Sequence, residues 1–194
     1  IQATAANGAP VLRAVATDGH RLARVESPMP EGAGGMPGII VPRKTVNELR
    51  KLIDEGEGDV EVSLSEAKIR FSFDGTVLSS KLIDGTFPDY ERVIPSGNDK
   101  ELIVACKPFA EAVDRVSAIS SEKSRAIKLS LNPGVLVLSA SSPDQGSATE
   151  ELEVDYDGEA IEIGFNSRYL LDITGQVEGD NARFTLADAA SPTI

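Results

Sequence analysis

The sequence of 194 residues has no tryptophan, a single cysteine, a single histidine and no long apolar run. The lone Cys106 excludes an internal disulfide framework and fits a reducing compartment, so we expect a cytoplasmic protein. No apolar stretch approaches the ~18 residues of a membrane span, and the N-terminus lacks the basic segment and apolar core of a signal peptide. The hydrophobic fraction of 41% is high enough for a packed core.

Motifs of catalysis and phosphate binding are also missing. The chain contains neither a Gly-x-Ser-x-Gly elbow nor a glycine-rich nucleotide loop. One histidine and one cysteine far apart in sequence make a poor metal site, so we expect no cofactor, no metal and no enzymatic activity. A hydrolase that uses Asp18 and His20 remains the enzymatic alternative, although the Asp-Gly pair between them favours a turn.

Charge is unevenly distributed along a chain whose net charge is −12. Taken whole, an acidic protein repels nucleic acid. Yet residues 42–53 are net basic, whereas residues 144–162 carry eight acids and no base. A cationic layer of helices beside an anionic shell suits a surface that faces a polyanion. The alternative, which charge alone favours, is that these are ordinary solvated helix faces.

Secondary-structure patterns repeat three times, over residues 39–82, 101–154 and 161–194. In each repeat a strand leads into a short helix and then into antiparallel strands. Helical spacing predicts amphipathic helices over 43–54, from 107 onward and over 167–177, each with an apolar face for a sheet. Their apolar residues are Val46, Leu49, Leu52 and Ile53; Phe109, Val113, Val116 and Ile119; and Tyr169, Leu170, Ile173 and Val177. The predicted fold class is α+β, with helices on one layer and antiparallel sheets on the other.

Turn signals divide the remaining segments. Asn7-Gly8 predicts a hairpin near the N-terminus, residues 39–41 predict a strand, and residues 26–38 predict a Pro/Gly-rich surface loop. The connector at residues 82–95 contains Pro88 and Pro95, so Phe87 and Ile94 should be extended. Its apolar residues predict an ordered, partly buried segment between two similar halves. The chain begins without methionine and ends within a predicted strand, so we expect a fragment of a longer protein.

Three stretches together resemble one family. They are Ala14-Val-Ala-Thr-Asp-Gly-His-Arg-Leu-Ala23, Val41-Pro-Arg-Lys44 opening a helix, and Ser80-Lys-Leu-Ile-Asp-Gly-Thr-Phe-Pro-Asp-Tyr-Glu-Arg-Val93. With Ile163-Gly-Phe-Asn166, they are similar to the bacterial DNA polymerase III β subunit, the sliding clamp. The resemblance implies that residues 1–90 form the later part of the middle domain. It also implies that residues 91–194 form the third domain without its final strand.

The family resemblance implies a DNA-clamp fold and a role as a polymerase processivity factor. Helices would line a ring around duplex DNA, sheets would lie outside, and two copies would close the ring head to tail. Partners would be double-stranded DNA, the polymerase III catalytic subunit, the clamp loader and other proteins with clamp-binding motifs. The alternative is an acidic β-rich interaction module without a DNA role.

Individual residues inherit roles from this resemblance. Arg43 and Lys44 match positions that approach DNA, and helix charge adds five further candidates: Arg50, Lys51, Lys107, Arg115 and Arg168. Ile119 and Glu150 match the ring interface, whose partner face would lie on the first domain, so this fragment should not close a ring. The residues matching the partner-peptide pocket are Thr17, Gly19, His20, Arg21, Leu22, Pro88, Arg92, Val93, Ala190 and Pro192. Ala190 and Pro192 replace residues that are often larger or polar in relatives, and the C-terminal strand that completes the pocket is not in the sequence, so we expect reduced peptide affinity.

Overall fold

A computed structural model describes residues 1–54, 58–120 and 125–194. The chain divides into two compact units, Ile1–Pro88 and Asp89–Ile194. Both combine helices with antiparallel sheets, so the predicted α+β class is confirmed. Each unit is described by itself below.

Within residues 1–54 and 58–88, the first unit contains two three-stranded sheets and one helix. One sheet is formed by β1 (Gln2–Ala6), β2 (Ala9–Thr17) and β3 (Leu22–Pro28), and the other by β4 (Glu61–Leu64), β5 (Lys68–Phe73) and β6 (Thr76–Lys81). Helix α1 spans Arg43–Ile53. The predicted hairpin is confirmed: Asn7 and Gly8 both have positive φ, as the tight turn between β1 and β2 requires.

Three predictions in the first unit are wrong. Residues 26–28, predicted as part of the surface loop 26–38, continue strand β3, because they pair with residues 11–13 of β2. Residues 39–41 form no strand; instead the N–H of Ile39 donates to the carbonyl of Ile1, and the N–H of Ile83 donates to that of Ile40. The predicted apolar face of α1 is largely uncovered, because Val46 is 49% exposed and both Leu52 and Ile53 are exposed as well. Only Leu49 of that face packs beside the small core of Ile39, Ile69 and Phe71.

A partly buried ion pair joins two neighbouring strands of the first sheet. Arg13 on β2 and Glu26 on β3 are register partners, and the Arg13 Nε lies 2.7 Å from a Glu26 carboxylate oxygen. Arg24 Nε approaches the same oxygen at 3.2 Å. Because a buried guanidinium without its counter-charge is costly, this pair ties the register of β2 to that of β3.

The second unit, described over residues 89–120 and 125–194, has a larger sheet and two α-helices. Its elements in chain order are β7 (Lys100–Ala105), α2 (Cys106–Ser117), β8 (Ala126–Asn132), β9 (Val135–Ser142), β10 (Gly146–Glu153), β11 (Ile161–Asn166), α3 (Ser167–Thr174) and β12 (Asn181–Leu186). The strand order is β10-β9-β8-β11 in one sheet, and β12 pairs with β7 in the other. All these pairings are antiparallel, and two reciprocal hydrogen bonds also link Ile103 to Asp155.

The core of the second unit lies between its helices and its sheet. Alternate residues of β8, namely Ile127, Leu129 and Leu131, point into this core, as period-two patterning requires. On α2, Phe109, Val113 and Val116 are buried as predicted, whereas Ile119 follows the helix and is half-buried. Helix α3 ends at Thr174, earlier than predicted, and leaves Ile173 and Val177 exposed.

The connector is partly buried, as predicted: Tyr90 is buried, and Leu82, Phe87 and Ile94 are half-buried. It contains one 3-10 turn, Tyr90–Val93, in which Tyr90 is buried. Ile94 is extended, with φ −77° and ψ 117°, as its position before a proline predicts. Val93 is 62% exposed, so its predicted burial is wrong for the second unit taken by itself.

Gly158 lies close to the buried ring of Tyr156 in the second unit. A Cβ at this position would lie 2.7 Å from the Tyr156 hydroxyl oxygen and 2.8 Å from its Cζ. Tyr156 is buried, and its hydroxyl donates to the carbonyl of Glu159. We expect Gly158→Ala to lower the free energy of unfolding by about 1–3 kcal/mol, because the ring must leave its packed position. Urea unfolding of the chain measures this loss.

Gly164 on β11 is the matched control for that substitution. A Cβ at Gly164 would meet no atom within 4 Å, and its φ is not left-handed. Gly164→Ala should therefore change stability little, or raise it by about 0.5–1 kcal/mol through the unfolded chain. Equal losses in the two variants would contradict a steric role for Gly158.

Candidate functional site

Helix α1 presents a cationic face to solvent. Arg43, Lys44, Arg50 and Lys51 are all exposed, and they line a depression of about 580 Å³ together with Asn47, Glu48 and Asp54. Lys51 Nζ lies 3.2 Å from a Glu48 carboxylate oxygen. Within residues 1–54, 58–120 and 125–194, no ion pair engages Arg43, Lys44 or Arg50. This face can therefore attract a polyanion with three uncompensated charges.

The position of Arg43 and Lys44 opposes helix stability. They occupy the first turn of α1, which has no acidic residue, and Pro42 provides no side-chain cap. The N-terminus of a helix carries partial positive charge, so each cation there costs about 0.3–1 kcal/mol at low salt. An anion placed beside this turn would relieve that repulsion and accept hydrogen bonds from unpaired N–H groups.

In the second unit the predicted cations have different surroundings. Lys107 and Arg168 are exposed at the starts of α2 and α3. Arg115 forms a two-point ion pair with Glu150 on β10, and its Nε lies 3.0 Å from Glu150 Oε2. This hydrogen bonding lowers the pKa of Glu150. A predicted DNA contact and a predicted ring-interface residue therefore neutralise each other, while Ile119 lies in the turn after α2.

A tight corner, which we name the Asp18 corner, comprises residues 17–22 between β2 and β3. One Asp18 carboxylate oxygen accepts the N–H groups of His20 and Arg21, each at 3.0 Å, and the other accepts Arg21 Nε at 3.2 Å. These bonds, led by the one from His20, lower the pKa of Asp18 to about 2. Gly19 has φ +86°, which a residue with a side chain rarely adopts.

Thr17 braces the same corner from its other side. Its hydroxyl donates to the carbonyl of Arg21 at 2.9 Å and accepts the N–H of Gly19 at 3.2 Å. Leu22 opens β3 opposite Thr17 and is half-buried, and His20 is exposed. The five predicted peptide-binding residues from Thr17 to Leu22 are thus held in one loop by hydrogen bonds centred on Asp18. Asp18 lies within the stretch that carries the resemblance but is not among the residues matched to the pocket.

A second corner of the same design, the Asp188 corner, comprises residues 188–192 after β12. One Asp188 carboxylate oxygen accepts the N–H of Ala190 at 2.8 Å and that of Ser191 at 2.7 Å. The other accepts the Ser191 hydroxyl at 2.9 Å. These hydrogen bonds lower the pKa of Asp188, and the bond from the N–H of Ala190 has the largest effect. The predicted residues Ala190 and Pro192 are exposed in this corner.

The remaining predicted peptide residues lie on the connector. Pro88 is exposed at the end of the first unit, and Arg92 and Val93 are exposed in the 3-10 turn of the second. Arg92 Nε lies 2.7 Å from a carboxylate oxygen of Asp89, and both side chains are exposed. An ion pair this exposed contributes little to stability.

Two kinds of feature are absent from the described residues: a cluster of metal-ligating side chains and a membrane-spanning helix. No group of three or more His, Cys, Asp or Glu side chains in those residues is arranged to hold a metal ion. Both Asp18 carboxylate oxygens are engaged by the backbone and guanidinium groups of the corner, which is a structural use of that residue. None of the helices in that part of the chain has the length and apolar character needed to cross a bilayer.

Comparison with known proteins gives matches over almost the whole chain. The family model for the central domain of the DNA polymerase III beta subunit matches residues 4–89, and the model for its C-terminal domain matches residues 91–194. The beta sliding clamp of Caulobacter vibrioides is 56% identical over 183 residues, covering 94% of this chain and 49% of that protein. The chain thus spans about half the length of the curated relatives it matches.

Solved structures give the same result. A Caulobacter crescentus beta sliding clamp with bound polyethylene glycol has a TM-score of 0.94 at 54% identity, covering 99% of this chain and 52% of that one. A sliding clamp (DNA polymerase III subunit beta) from Bartonella birtlesii bound to griselimycin has a TM-score of 0.91 at 55% identity. The alignment with the Bartonella structure covers 96% of this chain and 50% of that one.

Proposed function

This chain belongs to the DNA polymerase III beta subunit family, and we propose that it serves as part of a sliding clamp, a processivity factor that holds polymerase on duplex DNA. Residues 1–90 would act as part of the middle domain and 91–194 as part of the third. The observation that carries the proposal is the cationic face of α1 in a chain of net charge −12. A protein so acidic would not retain uncompensated cations at a helix N-terminus for stability.

The proposed contact with DNA is electrostatic and independent of sequence. Cations that touch phosphates position a protein on the duplex without reading bases, which permits sliding. Arg43, Lys44 and Arg50 would contribute most, because their charges are uncompensated within the described residues. Lys51, Lys107 and Arg168 would add to this field. Arg115 would contribute less than its charge suggests, because Glu150 already pairs with it.

Partner proteins would bind through the residues that the two corners and the connector present. A short apolar peptide would contact Leu22 and Val93, and Arg21 and Arg92 would bind its polar groups. Griselimycin, bound in the Bartonella relative, is a second candidate ligand. Ile119 and Glu150 would lie at the interface between two copies in the ring.

This function requires neither catalysis nor a cofactor, because a closed ring retains DNA by topology. The protein would work in the cytoplasm, where the polymerase catalytic subunit and the clamp loader act on DNA. A hydrolase based on Asp18 and His20 is disfavoured, since the Asp18 carboxylate is used to shape its own corner.

Retention on closed DNA tests the proposed function. A protein of the relatives' full length that carries these residues should, once loaded by a clamp loader, stay on nicked circular DNA. Linearising the plasmid should release it by sliding off the ends, and blocking both ends should restore retention. Gel filtration of the protein with labelled DNA measures all three states. Equal retention on open linear and circular DNA, or none on either, would favour the acidic interaction module without a DNA role.

A further inference from the structure

Asp18 and Asp188 form the same hydrogen-bonding pattern at two places in the fold. One carboxylate oxygen accepts the backbone N–H groups of the residues two and three positions later. The other oxygen accepts a hydrogen bond from the side chain of the residue three positions later. Each lies at the end of a strand, β2 or β12. Aspartate favours such turns because its short side chain reaches its own backbone.

The two corners share a second property, which is independent of their hydrogen bonds. They present seven of the ten residues proposed to bind a partner peptide: Thr17, Gly19, His20, Arg21 and Leu22 in the Asp18 corner, and Ala190 and Pro192 in the Asp188 corner. Neither aspartate is itself among those ten. Each side chain is directed to its own loop, so it acts on a ligand only through the residues it holds.

Each corner also has a brace that limits alternative conformations. Thr17 fixes the Asp18 corner through its hydroxyl. Asn98 fixes the Asp188 corner, because its Nδ2 donates to the carbonyls of Thr185 and Pro192, at 2.8 and 3.0 Å. Both loops lie at the surface, where exposed backbone could otherwise bond to water and sample many conformations. The carboxylate selects one of them.

We propose that Asp18 and Asp188 are positioning residues for peptide binding, each holding one contact loop in its binding-competent conformation. The inference rests on the proposed peptide-binding function and deepens it. If a ligand binds only the competent conformation, its apparent affinity equals the intrinsic affinity multiplied by the fraction of molecules in that conformation. Removing either carboxylate should therefore weaken peptide binding without removing any peptide contact.

Binding of a polymerase-tail peptide tests the proposal, in a protein of the relatives' full length that carries these residues. Asp18→Ala and Asp188→Ala should each weaken peptide affinity about five- to tenfold. This loss corresponds to a variant loop that adopts the binding-competent conformation only about a tenth to a fifth of the time. Asp18→Asn and Asp188→Asn keep the acceptor for both N–H groups but replace the oxygen that accepts Arg21 Nε or the Ser191 hydroxyl by a donor, so each should lose only about two- to threefold in affinity. This rescue separates the bonding geometry from the charge.

Hydrogen exchange provides a readout that does not depend on the peptide. In Asp18→Ala the amides of His20 and Arg21 should exchange faster, and in Asp188→Ala those of Ala190 and Ser191 should do so, with protection regained in each Asn variant. Asp144→Ala is the control, because it removes an exposed carboxylate from the turn between β9 and β10. It should change neither affinity nor exchange.

Leu22→Ala separates failure of this inference from failure of the proposed function. Truncation of a direct apolar contact should weaken the peptide about tenfold or more. If the unsubstituted protein does not bind the peptide, or Leu22→Ala binds as well as it does, the proposed peptide site is wrong. If Leu22→Ala weakens binding and both aspartate-to-alanine variants bind normally, the site stands and the positioning roles are overturned.

Discussion

Phe109→Ala is expected to lower the free energy of unfolding of the second unit by about 3–5 kcal/mol. Phe109 is fully buried on α2, and its ring meets that of Phe184 on β12 edge to face, with centroids 5.5 Å apart. The substitution leaves a cavity between helix and sheet and removes an aromatic pair. Because a whole domain is stable by only about 5–15 kcal/mol, this single change should bring the unit close to unfolding.

Tyrosine fluorescence during urea unfolding measures this effect on the second unit alone. All three tyrosines, Tyr90, Tyr156 and Tyr169, lie in Asp89–Ile194, and the chain has no tryptophan. Phe109→Leu, which keeps most of the volume, should cost about 1.5 kcal/mol or less. Ile173→Ala, at an exposed position on α3, should change stability by about 0.5 kcal/mol at most. A loss for Phe109→Ala no larger than that for Ile173→Ala would contradict the packing of α2.

Much of the second unit could be predicted because its pattern and its burial agree. In β8 and α2 the apolar positions follow the period of the element, and the same chain supplies the opposite side of the core. Sequence periodicity therefore identified both the element and its buried face. The end of α3 was predicted too late because Ile173 and Val177 continue the helical spacing beyond Thr174, although neither is buried.

Helix α1 shows what periodicity cannot determine. The spacing of Val46, Leu49 and Ile53 correctly predicted a helix, and its bounds agree with the structure to one residue. Spacing identifies an apolar face but does not identify what covers it, and within the first unit that face remains mostly exposed. The predicted strand at 39–41 failed for a related reason, because a short apolar run fits a buried irregular segment as well as a strand.

The peptide-binding and ring-interface residues came from the resemblance, and most of the DNA-facing candidates came from helix charge. Only the coordinates showed how these residues are organised. The Arg115–Glu150 pair joins residues 35 positions apart, and no local pattern predicts such a contact. The roles of Asp18 and Asp188 were within reach of the sequence, since aspartate before glycine or small residues is a turn signal. The Asp18-Gly19 pair correctly predicted a turn, but it did not predict which backbone N–H groups the Asp18 carboxylate would bond.

The double variant Arg43→Ala/Lys44→Ala is expected to weaken binding of duplex DNA about tenfold or more near 0.1 M salt, in a protein of the relatives' full length that carries these residues. It should also reduce the slope of log affinity against log salt concentration by about 2, one for each lost phosphate contact. Fluorescence anisotropy of a labelled duplex across a salt series measures both quantities. The affinity loss should be independent of DNA sequence, because these contacts read no bases.

This variant separates binding from folding, because it should stabilise α1. Alanine is the best helix former, and removing two cations from the first turn relieves repulsion of the helix dipole. Weaker DNA binding could then not be attributed to loss of structure, and a raised melting temperature would verify the reasoning. The cations in the first turn of α1 are thus expected to lower helix stability while they strengthen attraction to phosphate.

Lys68→Ala/Lys81→Ala is the matched control within the same unit. These lysines are exposed register partners on β5 and β6, so their removal changes net charge by the same amount at a sheet instead of the helix. Like charges directly opposite in a sheet repel, so this control should not destabilise the fold either. If DNA contacts the cationic face of α1, the control should keep nearly full affinity and an unchanged salt slope. Equal losses in both variants would show that only net charge matters and would remove α1 from the proposed DNA-facing surface.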